Sequence, residues 1–137
     1  MTQSLPSKRD PRHLRSMIDR AAELAREHAV PSVFVGIAGR EGDLVAPDFI
    51  EFVESALRVE DAVFRMLRER AVVLLADVDR GQAEAILGRL RTDFAAQFAP
   101  SAGFDIAFGF YEVGPGPRAG ATAKEILPVI FAPDRAV

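Results

Sequence analysis

The sequence predicts an α+β domain in two layers, with helices packed on a mainly antiparallel sheet. Three observations carry that expectation. Apolar residues recur at helical spacing in several stretches, while short runs rich in β-branched and aromatic residues fall between them. Two of those runs, Ala62 to Met66 and Ala71 to Ala76, are consecutive and separated by only Leu67-Arg68-Glu69-Arg70. Four residues suffice for a hairpin but not for the crossover that parallel strands require, so the pairing is antiparallel. At 137 residues with 49% hydrophobic content, the chain fits one domain spanning 1–137, able to bury a core without covalent staples.

Residues Met1 to Arg9 are polar and predict a frayed tail. Asp10-Pro11 then offers an N-cap followed by a proline suited to the first helical position. Leu14, Met17, Ile18, Ala21, Ala22 and Ala25 continue at helical spacing, which predicts a helix from about Pro11 to His28, ended by Pro31. Ser32 to Ala38 reads as a buried strand. Gly39 to Pro47 reads as a loop, and Pro47-Asp48 opens a second helix with Phe49, Ile50, Val53, Ala56 and Leu57 on one face. Arg58 closes it, where a cation suits the helix dipole. After the hairpin, Asp79 caps a helix running to about Phe98, with Ala83, Ile86, Leu87, Leu90, Phe94 and Phe98 inward. Phe104 to Glu112 alternates as a strand, Val113 to Ala121 is a Gly- and Pro-rich loop, Ala121 to Ile126 a helical turn, and Pro128 to Phe131 a final edge strand.

Composition excludes several classes of function. With no Cys there is no thiol nucleophile, disulfide or thiolate zinc site, and two His are too few for a His-rich metal centre. The N-terminus lacks the apolar core of a signal peptide, and no run approaches the ~20 apolar residues that span a bilayer. A cytoplasmic protein with no membrane partner is expected. The net charge of −3 argues against nucleic-acid backbone binding. The bases are nevertheless fifteen Arg against two Lys, and Arg offers a planar fork for carboxylate, phosphate or guanine.

Charge is densest from Arg58 to Arg70, where four Arg and three acidic residues are threaded with Val59, Ala62, Val63, Phe64, Met66 and Leu67. Such a stretch is half buried. Arg58-Val59-Glu60-Asp61 within it has two readings: an ion pair at a helix end, contributing about 0–1 kcal/mol if solvated, or an anion and guanine site. Arg40-Glu41-Gly42-Asp43 repeats the spacing without the context. Glu69 at the hairpin tip reads as a solvated charge before a general acid or base. His13 and Ser16 read as helix surface before a nucleophile pair, and Asp79 as a cap before a metal partner of Asp77.

The segment Asp61 to Leu75 resembles the signature region of GGDEF domains, the bacterial diguanylate cyclases. In that family an Asp stands four residues before an Arg, as Asp61 does before Arg65, ahead of a Gly-Gly-Asp/Glu-Glu-Phe hairpin turn and an apolar strand. The similarity extends through Ala83 to Arg91 and Phe104 to Phe110, with Gly109 at the family's glycine, and covers roughly 32–112. It implies a two-layer palm or ferredoxin-like domain with a mainly antiparallel sheet flanked by helices. The signature slot itself is degenerate: Leu67, Arg68, Glu69, Arg70 and Ala71 occupy it, and only Glu69 keeps a carboxylate. Gly36, Ile37, Ala38 and Gly39 stand where the family ends its first strand in Mg²⁺-binding Asp residues, and Mg²⁺ requires oxygen ligands. The resemblance therefore implies a pseudo-enzyme with no catalytic residues, metal or cofactor.

The resemblance also implies a ligand. Family members carry an inhibitory product site, Arg-x-x-Asp, five residues before the signature turn, and Arg58 and Asp61 hold that register. A second arginine lies on the following helix, matched by Arg89. Arg58 and Arg89 would grip guanine or phosphate and Asp61 would accept from guanine N–H groups, so the implied partner is cyclic di-GMP. The alternative is a protein-interaction module on the same fold, with an unidentified protein partner and no nucleotide. Self-association is left open by both.

Overall fold

The computed structural model describes residues 9–40, 42–98, 105–115 and 122–132. In chain order it contains α1 (Pro11–Glu27), β1 (Ser32–Gly39), α2 (Ala46–Ala56), β2 (Ala62–Leu67), β3 (Arg70–Ala76), α3 (Arg80–Phe98), β4 (Ile106–Val113) and α4 (Ala123–Ile130). The strands form one antiparallel sheet in the order β2-β3-β1-β4. The tail expected over residues 1–8, Phe104 at the expected start of the fourth strand, and 116–121 in the expected loop lie outside the described residues.

Local chemistry sets the helix ends. Asp10 accepts from the Arg12 N–H at 2.9 Å ahead of α1, with Pro11 in its first turn. The Arg12 side chain, also bonded to Asp10, holds that carboxyl below the usual range. The helix closes with the Val30 N–H on the Leu24 carbonyl at 3.1 Å, across Ala29 at φ 55°, a left-handed position that glycine ordinarily fills. Before α2, Asp43 accepts from Val45 and Ala46 N–H groups at 2.7 and 3.3 Å, so the carboxylate of the second Arg-x-x-Asp copy is a helix cap. Asp79 and Gln82 cap α3 reciprocally, at 2.8 and 2.9 Å.

Helices cover both faces of the sheet. On one, Val33, Val35, Ile37, Val73 and Leu75 meet Phe49, Ile50 and Val53 of α2 and Leu87 and Phe94 of α3. On the other, Phe34, Phe64, Val72 and Leu74 meet α1 through Leu14, Met17 and Ala21, and α4 through Ile126 and Ile130. The α+β class and antiparallel sheet match the sequence reading, and α1 and α4 add a layer to it. The cause is legible in β1 and β3, whose central residues are apolar on both alternating faces.

Two local expectations are corrected. Residues 128–131 are no edge strand: α4 runs unbroken through Pro128 to Ile130. Thr122 and Glu125 form a capping box that starts the helix, and Ile126 and Ile130, one turn apart, anchor it on the sheet. In so short a helix Pro128 removes only the bond to the Lys124 carbonyl. Phe98 is 57% exposed rather than inward, its ring meeting Phe94 and Phe52 at 4.7 and 6.1 Å from the end of α3.

The seat of α4 depends on glycine. Gly36 and Gly109 are cross-strand partners, and both lie beneath the backbone of Ile130. A Cβ on Gly36 would stand 2.6 Å from the Ile130 carbonyl oxygen, and one on Gly109 would be closer still.

Candidate functional site

The hairpin between β2 and β3 turns through Arg68 and Glu69, with Leu67 paired to Arg70. Leu67 is 54% exposed and Arg68 and Arg70 are exposed, so the turn from Leu67 to Arg70 stands at a surface tip as expected, and Ala71 begins the buried part of β3. Glu69 offers its backbone carbonyl to the Gly39 N–H at 2.8 Å, which ties the tip to the end of β1. That strand end carries no carboxylate: Ile37 belongs to the core and Gly36 to the seat of α4. Among the described residues no three His, Cys, Asp or Glu are placed to hold a metal. Glu69 alone does not fit a divalent cation that takes six or more oxygens.

Arg58 and Asp61 form a closed unit. The Asp61 N–H donates to the Arg58 carbonyl at 3.0 Å, making a β-turn with Val59 and Glu60 at its corners. The Asp61 carboxylate turns inward and its side chain is only 3% exposed. Its Oδ2 accepts from the Arg58 backbone N–H at 2.9 Å and Nε at 3.1 Å, and its Oδ1 from Arg58 Nη2 at 3.1 Å and the Ala76 N–H at 3.0 Å. Arg58 Nη2 also donates to the Ala76 carbonyl. The sheet explains this: β2 begins at Ala62 opposite Leu74, so Ala76 at the end of β3 lies beyond its last partner in β2. Asp61 and Arg58 take that partner's place and satisfy both backbone groups of a residue that is 2% exposed.

Neither sequence reading described this geometry. Asp61 does not project to solvent, and the ion pair of the other reading is present but solvated only on its Arg58 side. The Arg58 side chain remains 47% exposed, with Nη1 at 3.2 Å from Glu60, and its hydrogen bonds to Asp61 raise its pKa above the usual arginine range. Arg89 is exposed on α3. Two hollows of about 260 Å³ each adjoin the turn, and Arg89 lines neither. One is lined by Arg58, Asp61, Glu54 and His13, the other by Val59 and Glu60 facing His13, Ser16 and Arg20 of α1. The contribution of α1 was not foreseen. His13, Ser16 and Arg20 recur at the i, i+3, i+7 spacing of one helix face, but only the register of β2 reveals that this face looks onto the turn.

A larger hollow, about 940 Å³, lies by the free edge of β4 and the end of α4. Its cations are held differently from Arg58: Arg40 pairs with Asp105 at 2.8 Å between two exposed side chains, and Arg70 and Arg91 lie over the rings of Phe131 and Phe108. Arg-x-x-Asp at 58–61 is the better candidate because its polar groups are fixed in place.

No family model and no curated protein matches the chain in sequence. Solved structures do match in fold. PelD from Pseudomonas aeruginosa in complex with c-di-GMP superposes with a TM-score of 0.63 at 21% identity, over 88% of this chain and 44% of PelD. A second PelD structure gives 0.62 at 22% identity, over 84% and 42%. The chain thus spans less than half of those PelD chains. The GGDEF domain of FimX from the same organism gives 0.62 at 16% identity, over 94% of this chain and 90% of that one. At such identities the likeness is one of fold, and the chain has the fold of a GGDEF-type domain.

Proposed function

We propose that this chain is a catalytically inactive GGDEF-like domain that acts as a cyclic di-GMP receptor through Arg58, held by Asp61, with Arg89 of α3 as a further cation. One observation carries the reading: an arginine with a half-exposed side chain, its guanidinium fixed by three hydrogen bonds to Asp61 and the Ala76 carbonyl, stands on this turn in a fold shared with PelD, of which one structure is a complex with c-di-GMP. A pre-oriented Arg loses less freedom on binding than a mobile one. Inactivity is supported by the filled turn at Leu67 and Arg68 and by the carboxylate-free end of β1. Incubation with GTP and Mg²⁺ or Mn²⁺ is expected to yield no cyclic di-GMP above a no-protein control. Turnover abolished by Glu69→Gln would overturn that part.

Calorimetric titration tests the receptor. Arg58→Ala is expected to weaken cyclic di-GMP binding by about tenfold or more, equivalent to roughly 1.4 kcal/mol, and Arg40→Ala to leave it unchanged. Equal losses would mean nonspecific anion attraction. The alternative, a protein-interaction module without a nucleotide, is favoured by one specific fact: the acceptor sites of Asp61 are already occupied within the fold.

A further inference from the structure

A carboxylate reads guanine by accepting from its N1 and N2 hydrogens, which requires free lone pairs facing the ligand. Asp61 has none to offer. Its two oxygens accept four hydrogen bonds, matching the roughly four positions a carboxylate possesses, and its side chain is 3% exposed. Glu60, the preceding residue in the turn, is the reverse case: its side chain is 39% exposed and its one ion-pair contact among the described residues is with Arg58 Nη1 at 3.2 Å. It lines the hollow between the turn and α1.

We infer that the ligand seats a guanine in this hollow, with Glu60 as the carboxylate that reads the base, Arg20 of α1 as a phosphate contact, and Asp61 as a positioning residue for Arg58. This rests on the cyclic di-GMP reading and assigns its specificity. The hollow has the mixed walls such a ligand needs. The fully exposed Val59 supplies apolar surface for a base, with the buried Met17 and Leu74 beneath it as the floor, while His13 and Arg20 supply polar groups on the α1 side. Arg20 is exposed and has no carboxylate within ion-pair reach among the described residues, so its charge is available to an anion. The nearby Glu60 charge disfavours bare phosphate at the turn, which directs phosphate towards Arg20 and leaves Glu60 to the donor edge of the base.

The test is calorimetric titration of wild type, Glu60→Gln, Arg20→Ala and Arg26→Ala with cyclic di-GMP, and with cyclic di-AMP as the comparison. Arg26 lies on α1 but away from the hollow. Glu60→Gln is expected to lower cyclic di-GMP affinity about tenfold, the scale of a hydrogen bond to a charged group, and to narrow the preference over cyclic di-AMP by a similar factor. Arg20→Ala is expected to weaken cyclic di-GMP about fivefold or more with Arg26→Ala unchanged, and the thermal midpoints of all three variants to stay near wild type because the sites are exposed. Binding that survives Glu60→Gln and Arg20→Ala but is lost in Arg58→Ala would overturn this seat and leave the receptor reading standing. Equal losses in Arg20→Ala and Arg26→Ala would overturn it too. Absence of binding by wild type would remove both.

Discussion

Gly109→Ala is expected to lower stability by about 3 kcal/mol, the upper part of the range for overpacking, and the midpoint of thermal unfolding by roughly 10 °C for a chain of this size. The added methyl would fall inside contact distance of the Ile130 backbone oxygen, carbon and Cα, none of which can rotate away as a side-chain tip can. Relief requires the end of α4 to lift, and lifting it exposes Ile126 and Ile130, which are 0% and 4% exposed. Each such side chain contributes about 1.5–3 kcal/mol when buried. Gly88→Ala is the control: this glycine lies within α3 with nothing inside 4 Å of its would-be Cβ, so alanine is expected to raise stability by up to about 1 kcal/mol. A Gly109→Ala midpoint equal to wild type would mean that α4 does not sit on the β1/β4 pair.

Asp61→Ala is expected to cost about 2–4 kcal/mol, and Arg58→Ala only about 1 kcal/mol. The asymmetry follows from what each deletion orphans. Without the carboxylate, the Ala76 N–H at a 2% exposed position loses its acceptor, a penalty of about 1–3 kcal/mol, and Arg58 loses its partner. Without the guanidinium, Asp61 keeps both backbone donors, from Arg58 and Ala76, and the Ala76 carbonyl that loses Nη2 lay behind a side chain 47% exposed, so water enters the gap and takes the lost donor's place. Denaturant midpoints of the two variants measure the difference. Equal losses would show that the turn is held by the ion pair rather than by the carboxylate's bonds to the chain.

That asymmetry marks where the sequence stopped being informative. Helix α1 was legible in its six apolar positions and its Asp10-Pro11 cap, and the hairpin in the closeness of two apolar runs, because these signals are local. Ala71 to Ala76 is apolar at every position, the pattern of a strand covered on both faces, but two layers were expected, because helical periodicity does not tell which face of the sheet a helix takes. Thr122 and Glu125 held the capping-box spacing that starts α4, and Pro128 obscured its continuation. At the candidate site the register of Arg58, Asp61 and the hairpin could be read by counting. The inward turn of Asp61 could not, since it is imposed by a backbone pair on β3, fifteen residues away in the chain. The same holds for Arg20 and Glu60, which line one hollow only through the packing of α1 on the sheet.

Titration of the wild-type chain with cyclic di-GMP tests the receptor claim most directly. At about 100 μM ligand a micromolar site is nearly saturated and raises the thermal midpoint measurably. The account predicts saturable heat, a thermal shift, and loss of both in Arg58→Ala, a variant that stays folded. No heat and no shift from a folded wild-type protein would contradict it and leave Arg58 and Asp61 as the clasp that finishes β3.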